Sequence, residues 1–219
     1  MNKVVFVHAS PAALAPLGKF YKEAAPDLEI VNLLDDGIMH AFLAGDDLAA
    51  ERRLKAALIR GHGEYGAQAA LVTCSAVKRP LLRRLQEAVP IPIVKIDVPM
   101  AKAAVRAGRR IGIVATFVPT VEITTTLLTD AAEEAGTTVE IVAEAIPEAY
   151  DSLLKGDSTA HDARLTAAAE KLAARPVDVI VLAQVSMSHM QPVLAGKLGI
   201  PVFASLTASL DALREVLPR

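Results

Sequence analysis

The feature that most constrains the fold of this chain is an internal repeat. The second half restates the first at a spacing of 107 to 111 residues, over five segments. Gly45-Asp46 falls on Gly156-Asp157, and "AALVTCSA" falls on "VIVLAQVS". Chance similarity between apolar runs does not hold one spacing over five segments, so the chain is expected to build one structural unit twice. We predict two lobes, 1–105 and 106–219, related by an approximate two-fold axis.

Both halves alternate short apolar segments with longer segments rich in Ala, Leu, Arg and Glu. The short segments have the length and β-branched content of strands, and the longer ones have helical periodicity. The predicted strands are 3–9, 28–34, 69–74, 91–96, 110–116, 138–145, 177–184 and 200–206. The predicted helices are 12–25, 47–61, 78–88, 99–108, 119–135, 158–174, 188–197 and 207–216. This alternation predicts an α/β fold of two doubly wound lobes, each with a parallel sheet of about four strands.

The composition fits helices packed on buried strands and excludes several classes of function. Of the 219 residues, 53% are hydrophobic, only 4% are aromatic and none is Trp. The net charge of −2 and the pI of about 6.2 provide no overall attraction to nucleic acid or to an anionic membrane. The first apolar run is too short for a signal peptide, and none reaches the ~18 residues of a membrane span. We expect a soluble, cytoplasmic homo-oligomer that binds neither nucleic acid nor membrane.

The only cysteine, Cys74, ends the third predicted strand of the first lobe, and Gln184 holds the equivalent place in the second. In open parallel sheets, ligands bind beyond the carboxyl ends of the strands, where helix N-termini and loop amides point outward. Ser10 and Thr116 lie near the ends of the two first strands. We therefore expect an interlobe cleft in which a thiol and a carboxamide face one small molecule. Cys74 and Gln184 are the predicted catalytic residues.

Two interpretations of Cys74 stay open at this point. Cysteine is among the residues most often fully buried, so this side chain could be an inert part of the core. Alternatively, a thiol at a strand end, ahead of a helix N-terminus, lies in a partial positive field that lowers its pKa and makes it reactive. A single cysteine provides neither a disulfide framework nor a CxxC metal motif.

Short hydroxyl side chains and loop amides near these positions favour a carboxylate or phosphate-sized anion, although each hydroxyl could instead cap a helix. Asp35 and Asp36 end a strand, and either one carboxylate faces the ligand or both cap the turn. With so few aromatic residues, walls for stacking bases or binding lipid are not expected. We predict a small anionic substrate, a carboxylate that can also be phosphorylated. The predicted substrate-binding residues are His8, Ser10, Asp36, Ser75, Thr116, Thr120, Ser186 and Met187.

The histidines provide weaker signals. His8 ends the first strand and either lines the cleft or packs in the sheet, and His189 follows the Gln184 loop. Either of them could activate the thiol. His62 and His161 lie in charged helical segments and are expected in solvent. No group of His or acidic residues has metal-ligand spacing along the sequence, so we predict no metal and no cofactor.

Three segments resemble a known family. They are "ALVTCSA" around Cys74, "DVPMAKAAVRAGRRIGIVAT" at 97–116 and "VDVIVLAQVSMSHM" at 177–190. Together with the duplicated α/β lobe, they are similar to the aspartate/glutamate/hydantoin racemase superfamily, and the resemblance covers essentially the whole chain. The resemblance implies an enzyme that needs neither pyridoxal phosphate nor a metal ion.

The resemblance also implies roles for two positions. In that family two cysteines, one in each lobe, stand on opposite faces of a substrate α-carbon. One thiolate removes the proton, and the other thiol returns one. Cys74 matches the first cysteine, whereas Gln184 stands in place of the second, and a carboxamide cannot carry a proton to and fro. The sequence therefore resembles a one-cysteine variant that acts beside a carboxylate or carbonyl through an enediolate-like intermediate, with Cys74 as acid/base.

Several reactions remain compatible with this resemblance. Isomerisation or racemisation follows from the family as a whole, whereas a missing second thiol favours decarboxylation or a related lyase or hydrolase step. Arylmalonate decarboxylases are one-thiol members of the superfamily, although their thiol lies in the second lobe. A Cys–His hydrolase and a non-enzymatic two-lobed binding protein, with Cys74 merely lining the cleft, are the remaining alternatives.

Overall fold

The structure is a computed structural model that describes residues 1–218. These residues contain two four-stranded parallel sheets. The strands are β1 (Asn2–His8), β2 (Leu28–Leu34), β3 (Ala69–Val72), β4 (Ile93–Lys95), β5 (Arg110–Ala115), β6 (Glu140–Ala145), β7 (Val179–Leu182) and β8 (Val202–Ala204). The first sheet has the order β2-β1-β3-β4, and the second has the order β6-β5-β7-β8. The predicted fold class is confirmed, and both sheets have the same topology.

Ten α-helices connect and flank these strands within the described residues. They are α1 (Leu14–Ala24), α2 (Gly37–Leu43), α3 (Asp47–Gly63), α4 (Arg79–Ala88), α5 (Val98–Ala107), α6 (Val118–Glu134), α7 (Pro147–Leu154), α8 (Ser158–Ala173), α9 (Gln191–Leu198) and α10 (Ser205–Val216). Two 3-10 segments, Pro11–Ala13 and Val185–Met190, precede α1 and α9. In residues 1–218 we find no helix with the length and apolarity needed to cross a membrane. The cytoplasmic location stays a prediction.

The central strands of each sheet are apolar because both of their faces are covered. In the second sheet, Ile111 and Ile113 pack against α5 and α6, whereas Val114, the residue after Ile113, and Ile180 of the adjacent strand β7 pack against α8 and α9. Successive residues of a strand point to opposite faces, so this alternation places helices on both sides of the sheet. The edge strand β6 is only partly buried.

The two repeats predicted from the sequence share the backbone conformation and the cap of the turn before α3 and α8. Gly45 and Gly156 both have left-handed φ values, 73° and 77°, a conformation that favours glycine. The next residue in each repeat, Asp46 or Asp157, then caps the following helix by accepting a backbone hydrogen bond of 2.9 Å. We call β1–β4 with their helices the first repeat, and β5–β8 with theirs the second repeat.

The compact units of the chain do not coincide with the two predicted ranges. One unit comprises Met1–Ile96 together with Ser209–Arg219, and the other comprises Asp97–Ala208. The predicted ranges, 1–105 and 106–219, assign α5 to the first sheet and all of α10 to the second. The structure instead packs α5 on β5 and β7, while the later part of α10 joins the first unit, where Ser209 bonds to Tyr21. A connecting helix packs on whichever sheet offers an apolar face, and sequence order does not decide this.

Two short helices, α2 and α7, were absent from the predicted elements. They have seven and eight residues, too few for helical periodicity to stand out. The helix predicted at 188–197 begins as the 3-10 segment Val185–Met190 and becomes regular only at Gln191.

Candidate active site

Cys74 and Gln184 occupy the same position beyond equivalent strands. The Thr73 N–H donates to the Val7 carbonyl oxygen at 3.1 Å, and the Ala183 N–H donates to the Val114 carbonyl oxygen at 3.0 Å. These bonds extend the β3 and β7 ladders by one residue each. Cys74 and Gln184 are therefore each the second residue after the third strand of their repeat. Their equivalence is as the repeat predicted, whereas the strands end two residues earlier than predicted.

A similar turn follows each of these two residues. The Val77 N–H donates to the Cys74 carbonyl oxygen at 3.4 Å, and the Met187 N–H donates to the Gln184 carbonyl oxygen at 3.0 Å. Within residues 1–218, the N–H groups of the two residues inside each turn, 75–76 and 185–186, have no acceptor. Successive N–H groups of this kind form concavities that bind anions.

Thr116 fixes the orientation of the Gln184 side chain. The Thr116 N–H and hydroxyl both donate to Gln184 Oε1, at 2.7 Å and 2.9 Å. Because the carbonyl end of the amide is held in this way, its Nε2 is left as a donor, and no described residue accepts from it. Both donors of Thr116 are thus directed to Gln184, and its direct contact with the substrate stays a prediction.

The thiol of Cys74 lies on a residue that is only 3% exposed. The helix that follows, α4, begins at Arg79, five residues after the cysteine. The field of a helix N-terminus falls off within the first turn, so the lowered thiol pKa expected from such a field has little support here. What the structure provides beside Cys74 is the turn at 74–77 with its two N–H groups.

His8, at the end of β1, is fully buried, and both of its ring nitrogens are engaged. Nε2 lies 2.9 Å from Asn32 Oδ1, which can only accept, so Nε2 carries the proton. Nδ1 lies 3.0 Å from the Thr73 hydroxyl. Burial lowers the pKa of the His8 imidazole, and the hydrogen bond with Asn32 opposes this effect in part. His8 therefore packs in the sheet and positions Thr73, the residue before the cysteine.

The remaining predicted substrate-binding residues have varied surroundings. Ser10 caps the 3-10 segment Pro11–Ala13 by accepting from the Ala12 N–H. Thr120 lies inside the first turn of α6 and not before it. Ser75 is exposed, and Ser186 is partly buried. Each of these four hydroxyls stays a predicted substrate contact.

Asp36 and Met187 complete the predicted set. Asp36 is exposed, and its neighbour Asp35 does the capping by accepting from the Gly37 N–H at 3.0 Å. Asp35 also pairs with Arg53 at 3.0 Å. Met187 is fully buried within the hydrophobic cluster beneath α8 and α9, where its side chain packs the core.

The expectation that His161 lies in solvent is wrong, because its side chain is only 1% exposed. Its ring lies against Asp162 and near His189, so three metal-ligating side chains meet that are not spaced as ligands along the sequence. The repeat contained a signal for this burial. His161 aligns with Ala50, an apolar position of α3 that is fully buried.

With this geometry established, comparison with known proteins places the chain in a family. The sequence profile described as Asp/Glu/Hydantoin racemase matches residues 24–213. No curated protein matches the sequence.

Several solved structures share the fold. An aspartate racemase homologue from Pyrococcus horikoshii has a TM-score of 0.72 at 17% identity, covering 98% of both chains. Arylmalonate decarboxylase has a TM-score of 0.68 at 18% identity, covering 97% of this chain and 91% of its own. Allantoin racemase from Pseudomonas fluorescens has a TM-score of 0.65 at 21% identity, covering 97% and 89%. These identities support a shared fold, and because the family profile spans most of the sequence, the chain belongs to the Asp/Glu/hydantoin racemase family.

Proposed function

We propose that this protein is a cofactor-independent enzyme that forms an enediolate-like intermediate at a carbon beside a carboxylate or carbonyl of a small acid. The observation that carries the proposal is the Thr116–Gln184 contact at the end of β7. Because this contact holds the Gln184 amide, Nε2 becomes a hydrogen-bond donor of fixed orientation at the position of the family's second catalytic cysteine. The first position keeps its thiol, Cys74.

In this proposal the two positions have different tasks. The Cys74 thiol donates or removes the proton at carbon. The Gln184 Nε2 donates to the oxygen on which negative charge develops, and its carbonyl end is already held, so little reorganisation is needed as that charge forms. The N–H groups of the turns at 75–76 and 185–186 bind the carboxylate oxygens. The small anionic substrate predicted from the sequence fits these donors.

A single thiol restricts the reaction that follows. Racemisation by two bases needs a second acid that protonates the opposite face of the carbon, and an amide has no such proton to give. A Cys74 thiolate can remove the α-proton, exchange the resulting thiol proton with solvent and return it to the same face of the carbon. The substrate then keeps its configuration. If the substrate instead loses CO₂, the bonding electrons remain in the enediolate and the Cys74 S–H protonates the carbon. We propose this one-face chemistry in preference to racemisation.

The Cys–His hydrolase receives no support from the two candidate histidines. The ring nitrogens of His8 are engaged by Thr73 and Asn32, and Nε2 of His189 is engaged by Asp162. The binding-protein alternative is favoured by one observation, the 3% exposure of Cys74, which a packed and unreactive thiol would also show. Homo-oligomeric assembly stays part of the proposal.

The proposal is tested by incubating the protein with aspartate, allantoin and an arylmalonate, the compound classes named by its structural relatives, in deuterated buffer. Proton NMR then follows both consumption of the acid and deuterium at carbon. We expect one deuterium per turnover with the wild type, and at least a hundredfold loss in Cys74→Ala, since a positioned acid contributes 10²–10⁴-fold. Equal rates in the two proteins would exclude the thiol from the chemistry. A wild-type protein that binds an acid in thermal-shift assays without exchanging or consuming it would support the binding protein.

A further inference from the structure

A cluster of three metal-ligating side chains lies in the second repeat, where α8 meets the 3-10 segment Val185–Met190. Asp162 Oδ1 lies 2.8 Å from Nδ1 of His161 and 2.9 Å from Nε2 of His189. The two imidazole rings are nearly parallel, with centroids 6.3 Å apart and planes inclined by 23°. One carboxylate oxygen thus faces a nitrogen from each of two histidines, and the three ligand atoms lie within 4.8 Å of one another.

The burial of His161 shows that this cluster is more than a chance meeting of surface groups. Its side chain is 1% exposed, and within residues 1–218 its Nε2 has no hydrogen-bond partner. All polar hydrogen bonding of this buried ring is therefore directed at Asp162. The side chains of Asp162 and His189 are 31% and 54% exposed, so the cluster opens to solvent on the His189 side. A dissolved ion can reach it from there.

We propose that His161, Asp162 and His189 bind a divalent transition-metal ion, with Zn²⁺ as the best match. Zinc bonds of 2.0–2.1 Å to nitrogen and 2.0–2.2 Å to oxygen in a tetrahedral site put neighbouring ligand atoms about 3.4 Å apart. The observed contacts of 2.8 Å and 2.9 Å need to open by only about half an ångström, which small rotations of the partly exposed Asp162 and the exposed His189 can provide. Two imidazoles and one carboxylate fill three positions, and a water molecule completes the fourth.

The chemistry of the donors selects the class of ion. Imidazole nitrogen suits Zn²⁺, Cu²⁺ and Ni²⁺, whereas Mg²⁺ and Ca²⁺ prefer sites made of oxygen ligands. With two of its three ligands nitrogen, the cluster discriminates against the hard cations. Binding requires neutral imidazoles, so affinity falls as the pH is lowered.

The first repeat has no such cluster at the corresponding place. Ala50 and Glu51 occupy the positions of His161 and Asp162, and Glu51 pairs with Arg84 of α4 at 2.7 Å. Both repeats therefore tie the long helix to the segment after the third strand, by an ion pair in one and by the His–Asp–His cluster in the other. A metal ion would link α8 to the 3-10 segment Val185–Met190, which follows Gln184 directly, and would thereby stabilise the second unit.

Zinc binding is measured by isothermal titration calorimetry at neutral pH on the purified full-length protein. The visible spectrum of the Co²⁺-loaded protein is recorded in parallel. We expect one equivalent of Zn²⁺, the d–d bands of four-coordinate Co²⁺, and a Tm raised by several degrees under excess Zn²⁺. Mg²⁺ should produce no heat and no shift. A wild-type protein that binds no Zn²⁺ overturns the proposal.

Two variants locate the ion, and a third controls for surface histidines. His189→Ala and Asp162→Ala should each lose the Co²⁺ bands and at least tenfold in zinc affinity, with unchanged circular dichroism spectra. His62→Ala removes an exposed histidine of α3 and should bind Zn²⁺ like the wild type. His161 is left unchanged because its burial makes misfolding of a variant the expected outcome. Equal zinc affinity in His189→Ala and the wild type places the ion elsewhere and contradicts the proposal.

Discussion

The two repeats share one backbone frame after their third strands but differ in the side chains they present there. Cys74 and Gln184 each follow the strand by two residues and each accept a turn hydrogen bond from the residue three positions on. Beside Gln184 stands Thr116, whose hydroxyl and N–H hold the amide, and the corresponding residue beside Cys74 is Ala9. The difference teaches that one repeated backbone frame can present different side chains, and in the proposed function these separate a proton carrier, Cys74, from an oxyanion donor, Gln184.

The largest expected effect comes from making the two repeats alike. Gln184→Cys restores a thiol at the second position, so a proton can be delivered to the opposite face of the carbon. We expect racemisation of an exchangeable substrate to appear at a rate at least a hundredfold above that of the wild type. Chiral chromatography of the recovered acid measures it. Gln184→Ala is the matched control and should show no racemisation; if it racemises as fast as Gln184→Cys, the second thiol is irrelevant.

A smaller effect is expected from the residue that distinguishes the second repeat. Thr116→Val removes the hydroxyl bond to Gln184 Oε1 and keeps the backbone N–H bond. The amide then loses part of its orientation, and kcat/KM should fall about tenfold, the equivalent of one hydrogen bond. Thr126→Val, at an exposed threonine of α6 whose hydroxyl donates to the Glu122 carbonyl oxygen, serves as the control. Equal losses in both variants would mean that the Thr116 contact has no special role.

The division of the chain into its two units can be tested through stability. Tyr21 is buried in α1 and its hydroxyl bonds to Ser209 of α10 at 3.0 Å. Tyr21→Phe removes this bond and should lower the free energy of unfolding by about 1–2 kcal/mol in urea titrations. Tyr150→Phe, at an exposed tyrosine of α7, should leave it unchanged. An unchanged stability in Tyr21→Phe would argue against α10 contributing to the first unit.

The smallest effect concerns pH and is confined to the first repeat, since Ala115 stands where the first repeat has His8. Burial lowers the pKa of His8 below 6.5 in the folded protein. Well above pH 6.5 the ring is neutral in both states and contributes no pH dependence. As the pH falls below 6.5, the unfolded chain takes up the proton first, so the folded state loses stability. His8→Gln should therefore show a shallower loss of unfolding free energy between pH 7 and pH 5 than the wild type; parallel curves would contradict this assignment.

Features that occur in both repeats could be predicted from the sequence, whereas contacts of single side chains could not. Strand positions, sheet count and the equivalence of Cys74 with Gln184 followed from a repeat that constrains the backbone twice. The bond from Thr116 to Gln184 could not be predicted, because it depends on side-chain orientation across neighbouring strands. The burial of His161 was missed because charged neighbours along the sequence outweighed its place on the inner face of α8.

The central claim is that one thiol delivers the proton to one face of the carbon. It is tested most directly by the configuration of the deuterated product formed by the wild-type protein in deuterated buffer. With an acid that exchanges or is decarboxylated, we predict a single enantiomer with one deuterium at the reacting carbon, and its loss in Cys74→Ala. Equal amounts of the two deuterated enantiomers from the wild type, formed by the enzyme and not by spontaneous exchange, would contradict the account.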